Sequence, residues 1–200
     1  MTDITIYNAE ISAGSLLLRE SREIAKLLLE QADDAVWRNA LVVDNVLQKK
    51  SPSSARRMAR LIRNRLEAMD EDHWRLVLDN DREVALQALL AAALQHSRLL
   101  DDFLAKVVKE HYRTFKCQLT LGDWSVFIAE CENRDSTAAS WSDLTKKKLG
   151  QVVIRILAEA GYLESSRNKQ LSPIQIHPKV RDYLQTHAMQ NILRGMEIDR

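Results

Sequence analysis

Apolar residues recur three and four positions apart along almost the whole chain, and only five glycines and three prolines interrupt them. A 3.6-residue repeat with so few breakers leaves long helices joined by short polar turns as the expected architecture, and disfavours a doubly wound α/β sheet. The stripe Val36, Ala40, Val43, Leu47 predicts one helix and the stripe Ala55, Met58, Ile62, Leu66, Met69 a second, with Lys49-Lys50-Ser51-Pro52 between them. The pair reads as a helix-turn-helix over 36–69. Ser51 suits the N-cap and Pro52 the first helical position, where a missing N–H costs nothing.

Further helices are expected from Leu86 to Leu94, capped by Asn80 or Asp79, and from Leu100 through Val108 to Phe115. Then come one with Trp124, Phe127, Ile128 and Cys131, and one from about Ser142 to Ala160 that Gly161 ends. Between Tyr162 and Ile176, a polar turn at Ser165–Lys169 followed by alternating Ile174 and Ile176 predicts a small β-hairpin. A last helix follows at Val180, Tyr183 and Leu184, with a looser tail to Arg200. The fold class expected is therefore mainly all-α, compact and multi-helical. A helical region 1–115 would pack with a winged-helix-like region 116–200 as one unit.

The 46% apolar and 28% charged residues are ordinary globular usage. Cys117 and Cys131 are too few for a disulfide framework and suit a reducing cytoplasm, with both expected in the core. Met1-Thr2-Asp3-Ile4-Thr5 lacks the basic and apolar regions of a secretory signal. The longest purely apolar run, Ala88–Leu94, is far short of the roughly 20 residues of a spanning helix, so no membrane is expected.

A net charge of +1 conceals an uneven distribution. Residues 1–48 carry eight acids against four bases, whereas Lys49 to Arg65 holds Lys49, Lys50, Arg56, Arg57, Arg60, Arg63 and Arg65 with no acid. With Met58, Ile62 and Leu66 inward, Arg56, Arg60 and Arg63 share the opposite side, flanked by Arg57 and Asn64. Guanidinium groups offer paired donors to phosphate oxygens and to the guanine O6/N7 edge. No acid stands four residues from Arg56, Arg57 or Arg60 within that helix, so the usual intrahelical pairing is missing. The plainer reading is a solvated basic face partly neutralised by Glu67, Glu71 and the acidic amino-terminal helix.

A second cationic set opens the helix at Ser142, where Lys146, Lys147 and Lys148 oppose the helix dipole. Uncompensated cations there are unfavourable by about 0.3–1 kcal/mol each, and a phosphate would reverse the sign. Thr145, Lys147, Lys148, Gln151 and Arg155 are the outward candidates, with Arg167 and Lys169 on the wing tip; the plainer reading is a soluble helix start capped by Ser142.

No phosphate-binding, dinucleotide or nucleophile-elbow glycine motif occurs. The five histidines lack H-x-x-x-H spacing and are expected at the surface or half-buried. Asp70-Glu71-Asp72-His73 reads as a helix-end acidic cluster that needs no metal. No cofactor and no catalysis are expected. The tryptophans Trp37, Trp74, Trp124 and Trp141 are dispersed and read as packing anchors, not as a base-stacking platform.

Ser12-Ala13-Gly14 before Leu16-Leu17 and Glu20-Ser21, the Ser51-Pro52-Ser53-Ser54 turn, and Trp141-Ser142, Thr145, Lys148-Leu149, Gln151, Leu157 and Ala160-Gly161-Tyr162-Leu163 resemble the BrxA family of BREX phage-defence systems. The likeness runs from about Ile4 to Leu193. It implies a compact helical fold similar to the NusB antitermination fold and a preference for double-stranded DNA. It also implies service beside a methyltransferase, an ATPase and a phosphatase-like protein in telling host from phage DNA. The family brings no catalytic residues. A monomeric, non-enzymatic duplex-DNA binder is the leading expectation. The alternative is an RNA-binding or protein-binding adaptor whose basic helices dock on an acidic partner.

Overall fold

In the computed structural model, residues 7–198 are described; Met1–Thr5, read above as free of a secretory signal, and the tail end at Arg200 lie outside them. A 3₁₀ turn, Glu10–Ala13, precedes α1 (Leu18–Leu29). The Asp33 carboxylate caps α2 (Asp34–Arg38), which passes into a π-helical turn at Asn39–Val43. α3 (Pro52–Glu67) begins as its sequence predicts, with the Ser54 N–H donating to Ser51 Oγ at 3.3 Å and Pro52 in the first turn. Its buried stripe is Ala55, Ala59, Ile62 and Leu66, continued by Met69.

Asp70 caps α4 (Glu71–Asp79), so the acidic cluster Asp70–Asp72 sits at a helix start, where the dipole favours it. α5 (Arg82–His96) is capped by Asp81, not by Asn80 or Asp79. Every residue from Val84 to Leu94 is buried. α5 is accordingly the central helix, packed against α1, α3 and α4 and against three later helices: α6 (Arg98–Phe103), α11 (Pro178–Thr186) and α12 (Gln190–Met196). A helix enclosed all round is apolar all round. α6 continues through a π turn, Leu104–Val108, into α7 (Lys109–Arg113).

The Thr120–Asp123 capping box starts α8 (Leu121–Glu132), short α9 (Ser136–Ala139) comes next, and Ser142 caps α10 (Asp143–Glu159). Gly161, at φ +89°, ends α10 as predicted. Its N–H reaches Ala158 O at 3.3 Å and the Tyr162 N–H reaches Leu157 O at 2.9 Å, a Schellman closure. Phe103 packs on Trp124 and Phe127, with ring centroids 5.4 and 5.1 Å apart, and one apolar cluster runs from Tyr7 to Met196.

Several expectations are corrected. No strand forms among the described residues: the predicted hairpin is reduced to an isolated antiparallel bridge, Leu163 with Leu171, beside another between Gln118 and Gln170. The winged-helix hairpin is thus absent there, and the element order lends no support to a NusB-like arrangement. Val36 and Val43 are exposed while Trp37, Ala40 and Leu47 are buried. The π turn shifts the phase of that stripe, and the first of the two helices expected over 36–69 is short and irregular. Phe115 takes a left-handed φ of 55° after α7 and is 90% exposed, so it adds nothing to the core. Cys117 is exposed as well, while Cys131 is buried. His73 and His111 are buried, against the expected surface or half-buried positions. The tail holds α12, whose Ile192, Leu193 and Met196 are buried.

Candidate nucleic-acid interface

The arginine run on α3 divides into three environments. Arg56, Arg57 and Arg60 are exposed, and among the described residues none of them lies within ion-pair distance of a carboxylate. Lys50 is exposed beside the helix start. Arg63 donates to Glu67 Oε1 at 2.6 Å and lies 4.8 Å from the centroid of the Trp37 ring, so its charge is engaged on the protein. Lys49 pairs with Glu20 at 2.8 Å, both side chains mostly covered. Burial pushes the Glu20 carboxyl up. The Lys49 hydrogen bond and the nearby positive charges outweigh this and hold it below the usual carboxylate range. Asn64 is half-buried and, with Arg57, Arg60 and Glu10, lines a cleft of about 140 Å³ under the 3₁₀ turn.

Arg65, last of the run, is 3% exposed and points inward. It donates to Ser15 O at 2.5 Å and to Gly14 O at 3.2 Å. Burial lowers its pKa to about 10, and the charge of Glu159 opposes that fall. Glu159 in turn accepts from Ser15 Oγ at 2.8 Å and from the Leu16 N–H at 2.9 Å. The segment before α1 is thereby held between α3 and α10.

The second set lies on and beside α10. Lys147, Lys148, Gln151 and Arg155 are exposed. Thr145 is half-buried and spent on the cap, its N–H donating to Ser142 Oγ at 3.2 Å. Lys147, Gln151, Arg155 and Lys169 line one groove of about 750 Å³ between α8 and α10, whereas Lys148 and Arg167 stand outside it. The groove also contains Lys146, part of the predicted cationic set but paired with Glu132, and a feature that sequence reasoning missed, an apolar floor of Trp124, Ile128, Gly150 and Ile154. Their separation along the chain hid the floor, because residues of α8 and α10 share a surface only after folding. Trp124 Nε1–H donates to Lys146 O at 3.1 Å, which lays the indole against α10 beside Gly150.

Among the described residues no three histidine, cysteine, aspartate or glutamate side chains are grouped to hold a metal ion, and no helix is long and apolar enough to cross a membrane. Fold and surface together define a helical protein with two separate cationic surfaces, one a convex arginine ridge and the other a basic-rimmed groove.

Comparison with known proteins places it further. The sequence model of the BrxA family matches residues 5–188. The BREX protein BrxA of Paramagnetospirillum magneticum (strain ATCC 700264 / AMB-1) is 43% identical over 192 residues, 96% of each chain. The BREX protein BrxA of Escherichia coli O9:H4 (strain HS) is 35% identical over 188 residues, 94% of this chain and 88% of the relative. A crystal structure of an uncharacterized protein from Magnetospirillum magneticum superposes with a TM-score of 0.89 at 41% identity, covering 96% of this chain and 99% of that one. The chain belongs to the BrxA family.

Proposed function

We propose that this BrxA-family chain is a non-enzymatic accessory component of a BREX phage-defence system that binds double-stranded DNA. The observation that carries the reading is the set of three exposed arginines on α3, Arg56, Arg57 and Arg60, without a carboxylate partner among the described residues. Phosphate oxygens supply the missing counter-charge, and a convex helix presents such donors to a duplex backbone. Lys50 extends the ridge. Arg63 and Lys49, paired within the protein, contribute less than their positions in the sequence suggest. The relatives are named as BREX proteins, which supports other components of the same system as partners. The continuous apolar cluster supports regions 1–115 and 116–200 acting as one unit; we take that unit to act as a cytoplasmic monomer.

Four phosphate contacts from Lys50, Arg56, Arg57 and Arg60 give a log–log salt slope of about −3.6 on duplexes of unrelated sequence. Mobility-shift titrations at two salt concentrations, against duplex DNA, single-stranded DNA and duplex RNA, test this. The expected result is salt-sensitive preference for duplex DNA, abolished in the triple variant Arg56→Glu, Arg57→Glu, Arg60→Glu with an unchanged circular dichroism spectrum. Undiminished affinity in that folded variant would remove the ridge from the interface. Equal weakness on all three nucleic acids would move the chain to the adaptor class.

A further inference from the structure

The groove between α8 and α10 has a chemistry that a phosphate backbone does not use. Beneath a polar rim, the edges of Trp124, Ile128 and Ile154, each largely buried in the core, form an apolar floor. Gly150 closes it from the α10 side: a Cβ there would stand 2.7 Å from the Trp124 indole, so only glycine lets the ring lie flat against the helix. At the mouth Leu121 is 76% exposed, a large apolar side chain left without cover. The rim carries Lys147, Arg155 and Lys169, none within ion-pair distance of a carboxylate among the described residues. The single acid in the lining, Asp143, faces solvent and lies 4.0 Å from Lys146, whose own partner is Glu132.

We propose that this groove is a docking site for an acidic amphipathic helix of a partner protein. Apolar side chains spaced three and four apart seat on the floor and against Leu121, while glutamates or aspartates on the flanks meet Lys147, Arg155 and Lys169. From Asp143 to Arg155 the groove wall is about 18 Å long at 1.5 Å per residue, which accommodates about three turns of a docked helix. Duplex DNA offers the rim its phosphates but has nothing to place on the apolar floor, whereas an acidic amphipathic helix satisfies both. The groove shares no lining residue with the arginine ridge of α3, so the two surfaces can be altered independently.

The test uses the full chain and a fluorescein-labelled synthetic helix of about fourteen residues, long enough to fill the groove. Leucines stand at i, i+3, i+4 and i+7, with glutamates on the flanks. The control peptide has the same composition with the leucines distributed around the helix. Fluorescence anisotropy is expected to show the amphipathic peptide binding about tenfold tighter than the control. Leu121→Glu and the pair Lys147→Glu, Arg155→Glu should each weaken it by about tenfold or more, and Leu121→Ser serves as a milder exposed-site variant. The Arg56, Arg57, Arg60 reversal should leave peptide binding unchanged, and a duplex should not displace the peptide. Equal binding of control and amphipathic peptides, no binding of either, or full affinity in the groove variants overturns the proposal. So does loss of duplex binding in the groove variants together with displacement of the peptide by duplex, which would make the groove a nucleic-acid surface. Because the ridge and groove variants are separate, failure of one reading leaves the other measurable.

Discussion

His73 is enclosed on all sides, and its ring packs 5.5 Å from that of Tyr183. Nε2 lies 2.8 Å from Ala88 O; a carbonyl only accepts, so Nε2 carries the proton and Nδ1 is an acceptor with no partner among the described residues. Burial lowers the pKa to about 4, with the Ala88 hydrogen bond and Asp70 opposing the fall. The unfolded chain, with histidine near 6.5, therefore binds more protons than the folded one between about pH 6.5 and 4, and stability falls on acidification through that window. The full effect is roughly 3 kcal/mol at about 1.4 kcal/mol per pKa unit. Urea midpoints at pH 7 and pH 5 should differ in the native protein and converge in His73→Gln; an equal gap in both would assign the sensitivity elsewhere. The sequence leaves this histidine at the surface or half-buried because a lone histidine in an acidic stretch carries no sign that α4 turns it under α5. Lys49 shows the same limit: its partner Glu20 stands twenty-nine positions away, and only the folded chain shows that the charge is already matched.

Among the elements, α3 and the end of α10 are readable because their signals are local: Ser51-Pro52 opens one and Gly161 closes the other. The stripe from Val36 to Leu47 misleads because Trp37, not Val36, takes the inward position on α2, and a π turn then adds a residue to one turn and carries Val43 outward. Ile174 and Ile176 suggest a wing, yet a single bridge at Leu163 and Leu171 suffices to close that loop. The groove is half legible: the rim cations Lys147, Arg155 and Lys169 are among the sequence candidates, and the floor is not. Gly150 illustrates why. In an isolated helix, replacing glycine by alanine gains about 1 kcal/mol. Here the added methyl meets the Trp124 ring, which is pinned by its hydrogen bond to Lys146 O and by Phe103 and Phe127. Gly150→Ala should therefore lower stability by about 1–3 kcal/mol, the usual effect of overpacking, with a shift in tryptophan emission. A rise in thermal midpoint would show that the ring moves freely and that the groove floor is not fixed by this contact.

At the level of the whole molecule, the segment from Tyr7 to Leu16 touches both halves of the chain. The Tyr7 N–H donates to Asp135 at 2.9 Å and its hydroxyl to Asp102 at 2.8 Å, Glu10 pairs with His96 at 3.0 Å, and Glu159 holds Ser15 and Leu16. Glu159→Ala removes two acceptors and the acid that opposes the fall in the Arg65 pKa, and a loss of about 2–4 kcal/mol is expected. Denaturant midpoints measure the loss, and amide exchange at Leu16 should accelerate in parallel. An unchanged midpoint with an unprotected Leu16 amide in the native protein would mean that the segment is not held as described. The same ties set an order in time. Asp135 and Glu159 come 128 and 144 positions after Tyr7 and Ser15. On a ribosome adding about 5–20 residues per second, these two ties form roughly 6–30 s after the segment itself is made, later than those to Arg65, His96 and Asp102. The segment from Tyr7 to Leu16 is thus fully tied down only after the start of α9 and the end of α10 have been made.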